Sequence, residues 1–242
     1  MTRKIKRATL LAAVSLMAGV QAAPVSGQGT WESTLQARDL DGNGVTDAFY
    51  DTALNITWLR NANVNGLMDW PTAKAWADGL SFGGFTDWRL PTMVDTGALG
   101  CDLSYAGGTD CGYNVDTATS EIAHLDNVTL GNLAYCDPAL STANFCSGPQ
   151  AGTGLTNTAD FENLQLNRYW FGLEYALNPS DAWSFILGYG EQHFHGKSNV
   201  YLEQALAVRP GDVAASVPET PSVMLVLASL AALALTRRRR PH

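Results

Sequence analysis

The sequence predicts one α+β domain with many loops, on three observations. The 242 residues are 46% hydrophobic with 23 Gly and 10 Pro, a composition typical of a compact, loop-rich domain. Apolar residues recur at helical spacing early in the chain, whereas short apolar runs separated by turn residues follow Leu164. No Pro-rich or Ser-rich linker interrupts residues 31–212, so we predict a single domain there.

Residues 1–22 have the parts of a secretory signal peptide. A basic start precedes an apolar core from Ala8 to Val20, and Ala22 is a small residue that suits signal peptidase. The core is too short to span a bilayer stably. We therefore expect signal peptidase to remove this signal helix on export and residues 23–30 to form a short mature N-terminal segment.

The clearest predicted helix covers residues 69–80. Asp69 can cap it, Pro71 falls in the first turn, and Gly79 lies near the end, where a left-handed residue is favoured. A second, shorter helix is predicted from Asp116 or Thr117 through Leu125.

Short apolar runs predict the strands. One run, Leu54–Leu59, precedes the first helix. The later runs predict antiparallel strands at Tyr169–Tyr175, Ala182–Leu187, Val200–Leu202 and Ala205–Val208.

The distribution of charge excludes nucleic-acid binding. The net charge is −8, but eight of the 15 basic residues lie within the first seven residues or at 237–240. Between them, seven basic residues accompany all 23 acidic residues, which leaves −16. Such a body repels nucleic acid and anionic lipid headgroups.

The C-terminal region predicts a membrane segment. Residues 222–236 are uncharged and mostly apolar, and Arg237, Arg238, Arg239 and Arg240 follow at once. As a helix, this segment spans about 22 Å, short of the roughly 30 Å hydrocarbon core, so the anchor is marginal. The arginines place the basic tail, residues 237–242, in the cytoplasm and the body outside the inner membrane.

A short motif precedes this segment within a linker, residues 213–221. It reads Val217, Pro218, Glu219, Thr220, Pro221, and with the apolar run and the arginines it resembles the PEP-CTERM sorting signal of Gram-negative bacteria. Thr220 interrupts the usual Pro-Glu-Pro triplet. The resemblance implies that an exosortase removes the tail, after which the protein is released or attached elsewhere in the envelope. The alternative is a plain C-terminal membrane anchor.

Three parts of the body resemble one family: Gly84–Thr92, then Tyr169–Tyr175 with Ala182 and Trp183, and finally Ala207–Gly211. They are similar to the Lcl C-terminal-like domain family, over about Gln36 to Asp212. The resemblance implies a variant of the C-type-lectin-like and formylglycine-generating-enzyme fold, a small mixed or antiparallel sheet with two helices and long loops. The family's named prototype is a collagen-like adhesin, so the resemblance also implies adhesion or matrix binding.

One acidic segment has the spacing of a calcium loop. Asp39, Asp41, Asn43, Val45 and Asp47 occupy alternate positions, with Gly44 where a sharp turn is needed. Tyr50 stands at position 12 in place of a bidentate Glu, although Asp51 is adjacent. The alternative is an ordinary surface turn between two strands.

The four cysteines favour disulfides, since an even count in a secreted chain is typical of them. We expect Cys101 to pair with Cys111 and Cys136 with Cys146, each closing a short loop, although three pairings are possible. A zinc site is the alternative, but neither close Cys pairs nor nearby His support it.

Glu191, His193 and His195 alternate. On a strand they would share one face and could bind a transition metal; the alternative is a polar hairpin end.

The sequence contains no recognisable catalytic residue, because no nucleophile elbow occurs and the cysteines are assigned to disulfides. It favours a non-enzymatic envelope or matrix protein that binds exopolysaccharide or a surface protein. The alternative is an extracellular enzyme on the formylglycine-generating-enzyme-like fold. We further expect six tryptophans to lie in the core rather than to stack sugars at the surface: Trp58, Trp70, Trp76, Trp88, Trp170 and Trp183. We expect Arg89 and Arg209 to tie loops to carboxylates or carbonyls.

Overall fold

The computed structural model describes residues 23–98, 110–137, 139, 146, 148–198 and 200–213. Two four-stranded antiparallel sheets and a few short helices lie within these residues, which confirms the α+β class and replaces the expected single small sheet. The predicted signal peptide, membrane segment and sorting motif lie outside the described residues. In the described part of the chain, no helix is both long and apolar enough to cross a bilayer.

The first sheet has the order β1-β2-β3-β8. Its strands are β1 (Leu35–Arg38), β2 (Ala48–Asp51), β3 (Ile56–Leu59) and β8 (Val208–Pro210), and a single-turn helix, α1 (Trp31–Thr34), precedes β1. All four residues of β3 are buried, so the run predicted at 54–59 forms a central strand over its last four residues. The strand predicted at 205–208 instead begins at Val208.

The second sheet has the order β4-β7-β6-β5. Its strands are β4 (Gly112–Tyr113), β5 (Arg168–Glu174), β6 (Asp181–Ile186) and β7 (Glu191–Gly196). Strands β5 and β6 confirm two predicted strands to within one residue. The prediction at Val200–Leu202 is wrong: Val200 is 76% exposed and the segment lies in a turn, because three apolar residues do not by themselves form a buried face.

The best predicted helix is confirmed as α2 (Trp70–Asp78). The Asp69 side chain caps it by accepting a hydrogen bond from the Thr72 amide at 3.0 Å. The expectation for Gly79 is wrong, since its φ of −92° is right-handed and its amide donates to the Ala75 carbonyl like another helical residue.

The second helix is shifted along the chain. It forms as α3 (Glu121–His124) because the Ser120 hydroxyl caps it by accepting from the Ala123 amide. It then continues as a π-helix over Leu125–Thr129. The predicted start at residue 116 or 117 and end at 125 are therefore wrong.

Both sheets contribute to one hydrophobic core. Trp58 and Val208 of the first sheet belong to the same buried cluster as Tyr169 and Trp183 of the second. Of the six tryptophans expected in the core, Trp76 is partly exposed and five are buried: Trp58, Trp70, Trp88, Trp170 and Trp183.

Two arginines tie loops to the body, as expected. The Arg89 guanidinium donates to both carboxylate oxygens of Glu121, at 2.7 and 2.8 Å. That of Arg209 donates to both oxygens of Asp87, at 2.7 and 2.9 Å. Hydrogen bonding from Arg209, and to a smaller extent its charge, holds the pKa of the Asp87 carboxyl below its ordinary value.

Candidate functional site

The acidic segment 39–47 is the loop between β1 and β2. Arg38 pairs with Ala48 in the antiparallel register, so the loop begins and ends at adjacent positions. Asp39, Asp41 and Asp47 each have an oxygen that lies within 4.8 Å of those of the other two. Among the residues that the structure describes, this is the one group of three or more potential metal ligands so placed.

Backbone amides order the loop. The Asp39 carboxylate accepts from the amides of Gly42 at 2.8 Å and Gly44 at 2.7 Å, and the Gly44 bond contributes most to holding the pKa of Asp39 below its ordinary value. Asp47 Oδ2 accepts from the Leu40 amide at 2.9 Å. The loop thus fits the turn interpretation, and its charged, convergent carboxylates also suit a hard cation.

The residues after the loop do not complete the ligand set. The Tyr50 hydroxyl donates to Asn55 Oδ1 at 2.9 Å. Asp51 is fully buried, and its carboxylate accepts from the Ala53 amide and the Thr129 hydroxyl. A calcium ion in the loop would therefore need water ligands to reach its usual six to eight oxygens.

A cleft of about 320 Å³ adjoins the loop, and Val45, Thr46 and Asp47 belong to both. Its walls are largely apolar, formed by Leu59, Val64, Trp76, Leu80 and Phe82. The cleft lies between α2 and the end of β3. Sequence reasoning missed it, because its lining comes from segments far apart in the chain.

Arg60 forms the polar edge of the cleft. Its Nη2 lies 3.1 Å from Glu162 Oε1, and its Nη1 donates to the Thr46 carbonyl at 3.1 Å. These contacts fix the guanidinium beside the acidic loop. An apolar aromatic wall next to fixed polar groups suits a ligand with one apolar face and several hydroxyls, such as a sugar ring.

The predicted trio Glu191, His193 and His195 lies on β7, the second strand of a hairpin in which Glu191 pairs with Ile186 of β6. Glu191 Oε2 pairs with Arg168 Nη2 at 3.0 Å. His195 Nδ1 lies 2.9 Å from Glu203 Oε1, and His193 Nδ1 lies 2.7 Å from the Phe194 carbonyl oxygen. The two rings are adjacent, whereas Glu191 is held by another partner.

The cysteines follow the disulfide prediction where they are described. Cys136 and Cys146 form a disulfide, which confirms that pair and removes them from any zinc site. Cys111 is also disulfide-bonded, and its expected partner Cys101 lies outside the described residues.

Comparison with protein families matches residues 47–209, more than half of the 242 residues, to the Lcl C-terminal domain. Neither a curated protein nor a solved structure matches the chain. The matched segment contains β7 and most of the cleft. It starts at the last residue of the acidic loop, so the positions from Asp39 to Val45 precede it.

Proposed function

The chain belongs to the Lcl C-terminal domain family, and from this we propose that it is an exported envelope or extracellular-matrix protein whose domain binds exopolysaccharide. Family membership supports the secreted or envelope-associated setting. The disulfide at Cys136 agrees with an oxidising compartment.

The observation that carries the binding proposal is the shared boundary of loop and cleft. Asp47 contributes a carboxylate to the acidic group and also lines the cleft. Calcium bound by Asp39, Asp41 and Asp47, with the Asn43 side chain and the Val45 carbonyl, would lie beside the cleft. Sugar hydroxyls would approach the ion while an apolar sugar face packs against Trp76.

The charge of the body selects the class of polymer. The net charge of −16 between residues 23 and 236 repels acidic polysaccharides. In the described lining of the cleft, the positive charge of Arg60 is compensated by Glu162. We therefore propose a neutral polysaccharide as the partner, rather than an acidic one or a surface protein.

The proposal includes the route to the cell surface. The proposal keeps a variant of the C-type-lectin-like fold, with two four-stranded antiparallel sheets in place of the single small sheet that the resemblance implies. The tail from Val217 to Arg240 would hold the protein in the inner membrane until an exosortase removes it, and signal peptidase would have removed residues 1–22 before that.

Retention of the oxidised full chain on immobilised dextran, with calcium or with EGTA, tests the binding proposal, and alginate serves as the acidic comparison. We expect calcium-dependent retention on dextran that Trp76→Ala abolishes. Val64→Glu places a charge in the cleft at a 48% exposed position and should have the same effect without disturbing the core. Tyr201→Ala, at an equally exposed aromatic outside the described cleft lining, should retain binding. Absence of retention, or retention that neither EGTA nor Val64→Glu changes, would contradict the proposal.

A further inference from the structure

His193 and His195 lie side by side on one face of β7. The strand pairs antiparallel with β6, with Ser184 opposite His193 and Ala182 opposite His195. Alternate residues of a strand project from the same face. The two imidazole centroids are 5.3 Å apart and the ring planes are inclined by 27°, so the two rings lie next to each other on this face.

The partner of each Nδ1 fixes the tautomer of its ring. A backbone carbonyl only accepts hydrogen bonds, so His193 Nδ1 must donate its proton to the Phe194 oxygen at 2.7 Å. His195 Nδ1 donates in the same way to the Glu203 carboxylate, whose side chain is 5% exposed. The Ser184 hydroxyl oxygen lies farther from this nitrogen, at 3.3 Å, and can accept from the same N–H. In the neutral imidazole the proton is then on Nδ1, which leaves the lone pair on Nε2 of both rings.

This arrangement is the one found around metal-bound histidines, which donate their second N–H to a carboxylate or a backbone carbonyl. Within the described part of the chain, neither Nε2 has a hydrogen-bond partner. Both lone pairs are therefore available to an ion.

The adjoining cavity contains polar atoms that lack partners. It measures about 300 Å³ and is lined by His195, Arg168 and Glu203 among others. Glu203 Oε2 and Arg168 Nη1 are buried without a hydrogen-bond partner. Buried polar atoms of this kind usually have a water or an ion as partner. The volume of the cavity is large enough for an ion with bound water.

We propose that His193 and His195 bind one divalent transition-metal ion, such as Zn²⁺, through their Nε2 atoms. Glu203 is a positioning residue, because it acts through the His195 ring. Water in the cavity supplies the remaining ligands. Glu191 is not a ligand, since it is paired with Arg168 and compensates that residue's charge. The site is independent of the acidic loop and of polysaccharide binding.

Electron paramagnetic resonance of Cu²⁺ bound to the oxidised full chain, with calcium present, tests the site, and competition by Zn²⁺ gives the relative affinities. Both Cu²⁺ and Zn²⁺ bind well to imidazole nitrogen. We expect one Cu²⁺ per chain with two nitrogen ligands. His193→Gln and His195→Gln should each leave one nitrogen and weaken Zn²⁺ binding at least about tenfold, because each removes one of two protein ligands.

Glu203→Gln should keep two nitrogens but weaken binding about tenfold, the lower end of the effect of changing an outer-shell partner. His124→Gln is the matched control and should change nothing, because His124 lies on α3. A spectrum with oxygen ligands only, or unchanged affinity in both histidine variants with a native circular dichroism spectrum, would overturn the proposal.

Discussion

The amide of Arg60 donates a hydrogen bond to the carbonyl oxygen of Asp47 at 2.8 Å, which ties the acidic loop to the edge of the cleft. The Asp47 amide in turn donates to the Arg38 carbonyl at 2.8 Å. Asp47 is therefore held from both sides by the first sheet. A cation on its carboxylate would occupy a fixed position relative to any ligand in the cleft.

The Cys136–Cys146 disulfide should stabilise the loop-rich middle of the domain. The bond closes a short loop, with a sequence separation of 10. Replacing both residues with Ala should lower the free energy of unfolding by about 2–3 kcal/mol, mainly through the unfolded state. Urea unfolding of the oxidised proteins measures this change. A loss below about 0.5 kcal/mol would show that the bond constrains little.

Asp126 should make stability depend on pH. The residue is fully buried, and burial raises the pKa of its carboxyl to about 7, although hydrogen bonds from Asn132 and the Gly188 amide oppose the rise. An exposed Asp in the unfolded chain titrates near 4. Between about pH 4 and 7 the folded state therefore binds more protons than the unfolded state, so stability falls as pH rises, by at most about 1.4 kcal/mol per pH unit.

Urea unfolding across this pH range, in the wild type and in Asp126→Asn, measures the slope. We expect the free energy of unfolding of Asp126→Asn to change less with pH than that of the wild type, because the neutral amide does not titrate. The variant should also be less stable at low pH, since Asn has a single side-chain oxygen. That oxygen can accept from the Gly188 amide or from the Asn132 side chain, whereas the two oxygens of Asp126 accept from both, at 2.8 and 2.9 Å. An equal slope in both proteins would assign the pH dependence to other groups.

The bidentate ion pair of Arg89 and Glu121 should contribute more to the free energy of unfolding than an exposed ion pair does. Glu121 is 15% exposed and also accepts from the Thr92 amide at 2.7 Å. Glu121→Gln should cost about 1–3 kcal/mol, because it leaves the Arg89 guanidinium without its counter-charge. Asp78→Asn breaks the exposed pair with Lys74 and should change stability by less than about 0.5 kcal/mol. Similar losses in the two variants, measured by urea unfolding, would contradict this ranking.

The sorting motif should determine whether the tail is removed. In a host that contains an exosortase, we expect the mature protein to lack the membrane segment, and Pro218→Ala with Glu219→Ala to retain it. Ser216→Ala is the control, one residue before the motif. Intact mass of the envelope-associated protein distinguishes the forms. A tail retained in the wild type would favour the plain anchor.

Local signals predicted the elements that local chemistry determines. Helix α2 has its cap, its first-turn proline and its apolar spacing within about a dozen consecutive residues, so the sequence located it closely. The apolar runs of strands β5 and β6 are long enough to predict both strands. The strand prediction at Val200–Leu202 was wrong because the burial of an apolar run depends on which other parts of the chain pack against it.

Features that join distant segments were not predictable. Val208 pairs with Trp58 across the sequence, and no pattern near either residue specifies that register. The cleft needs Val45, Trp76 and Glu162 together. The Glu203 contact with His195 likewise depends on the turn after β7, so the sequence suggested the histidine pair but not its positioning residue.

Thermal unfolding of the oxidised protein, in calcium and in EGTA, tests the central claim most directly. A ligand that binds only the folded state raises the midpoint. We expect a reversible rise of the midpoint in calcium that Asp41→Asn abolishes, because Asp41 belongs to the cluster of three carboxylates. Its carboxylate accepts hydrogen bonds from Asn43 within the same loop, so the substitution leaves the two sheets unchanged. Asp78→Asn, which also removes one surface carboxylate, should keep the rise. Equal midpoints in calcium and EGTA would contradict the claim and leave the Asp39–Asp47 segment as a turn between two strands.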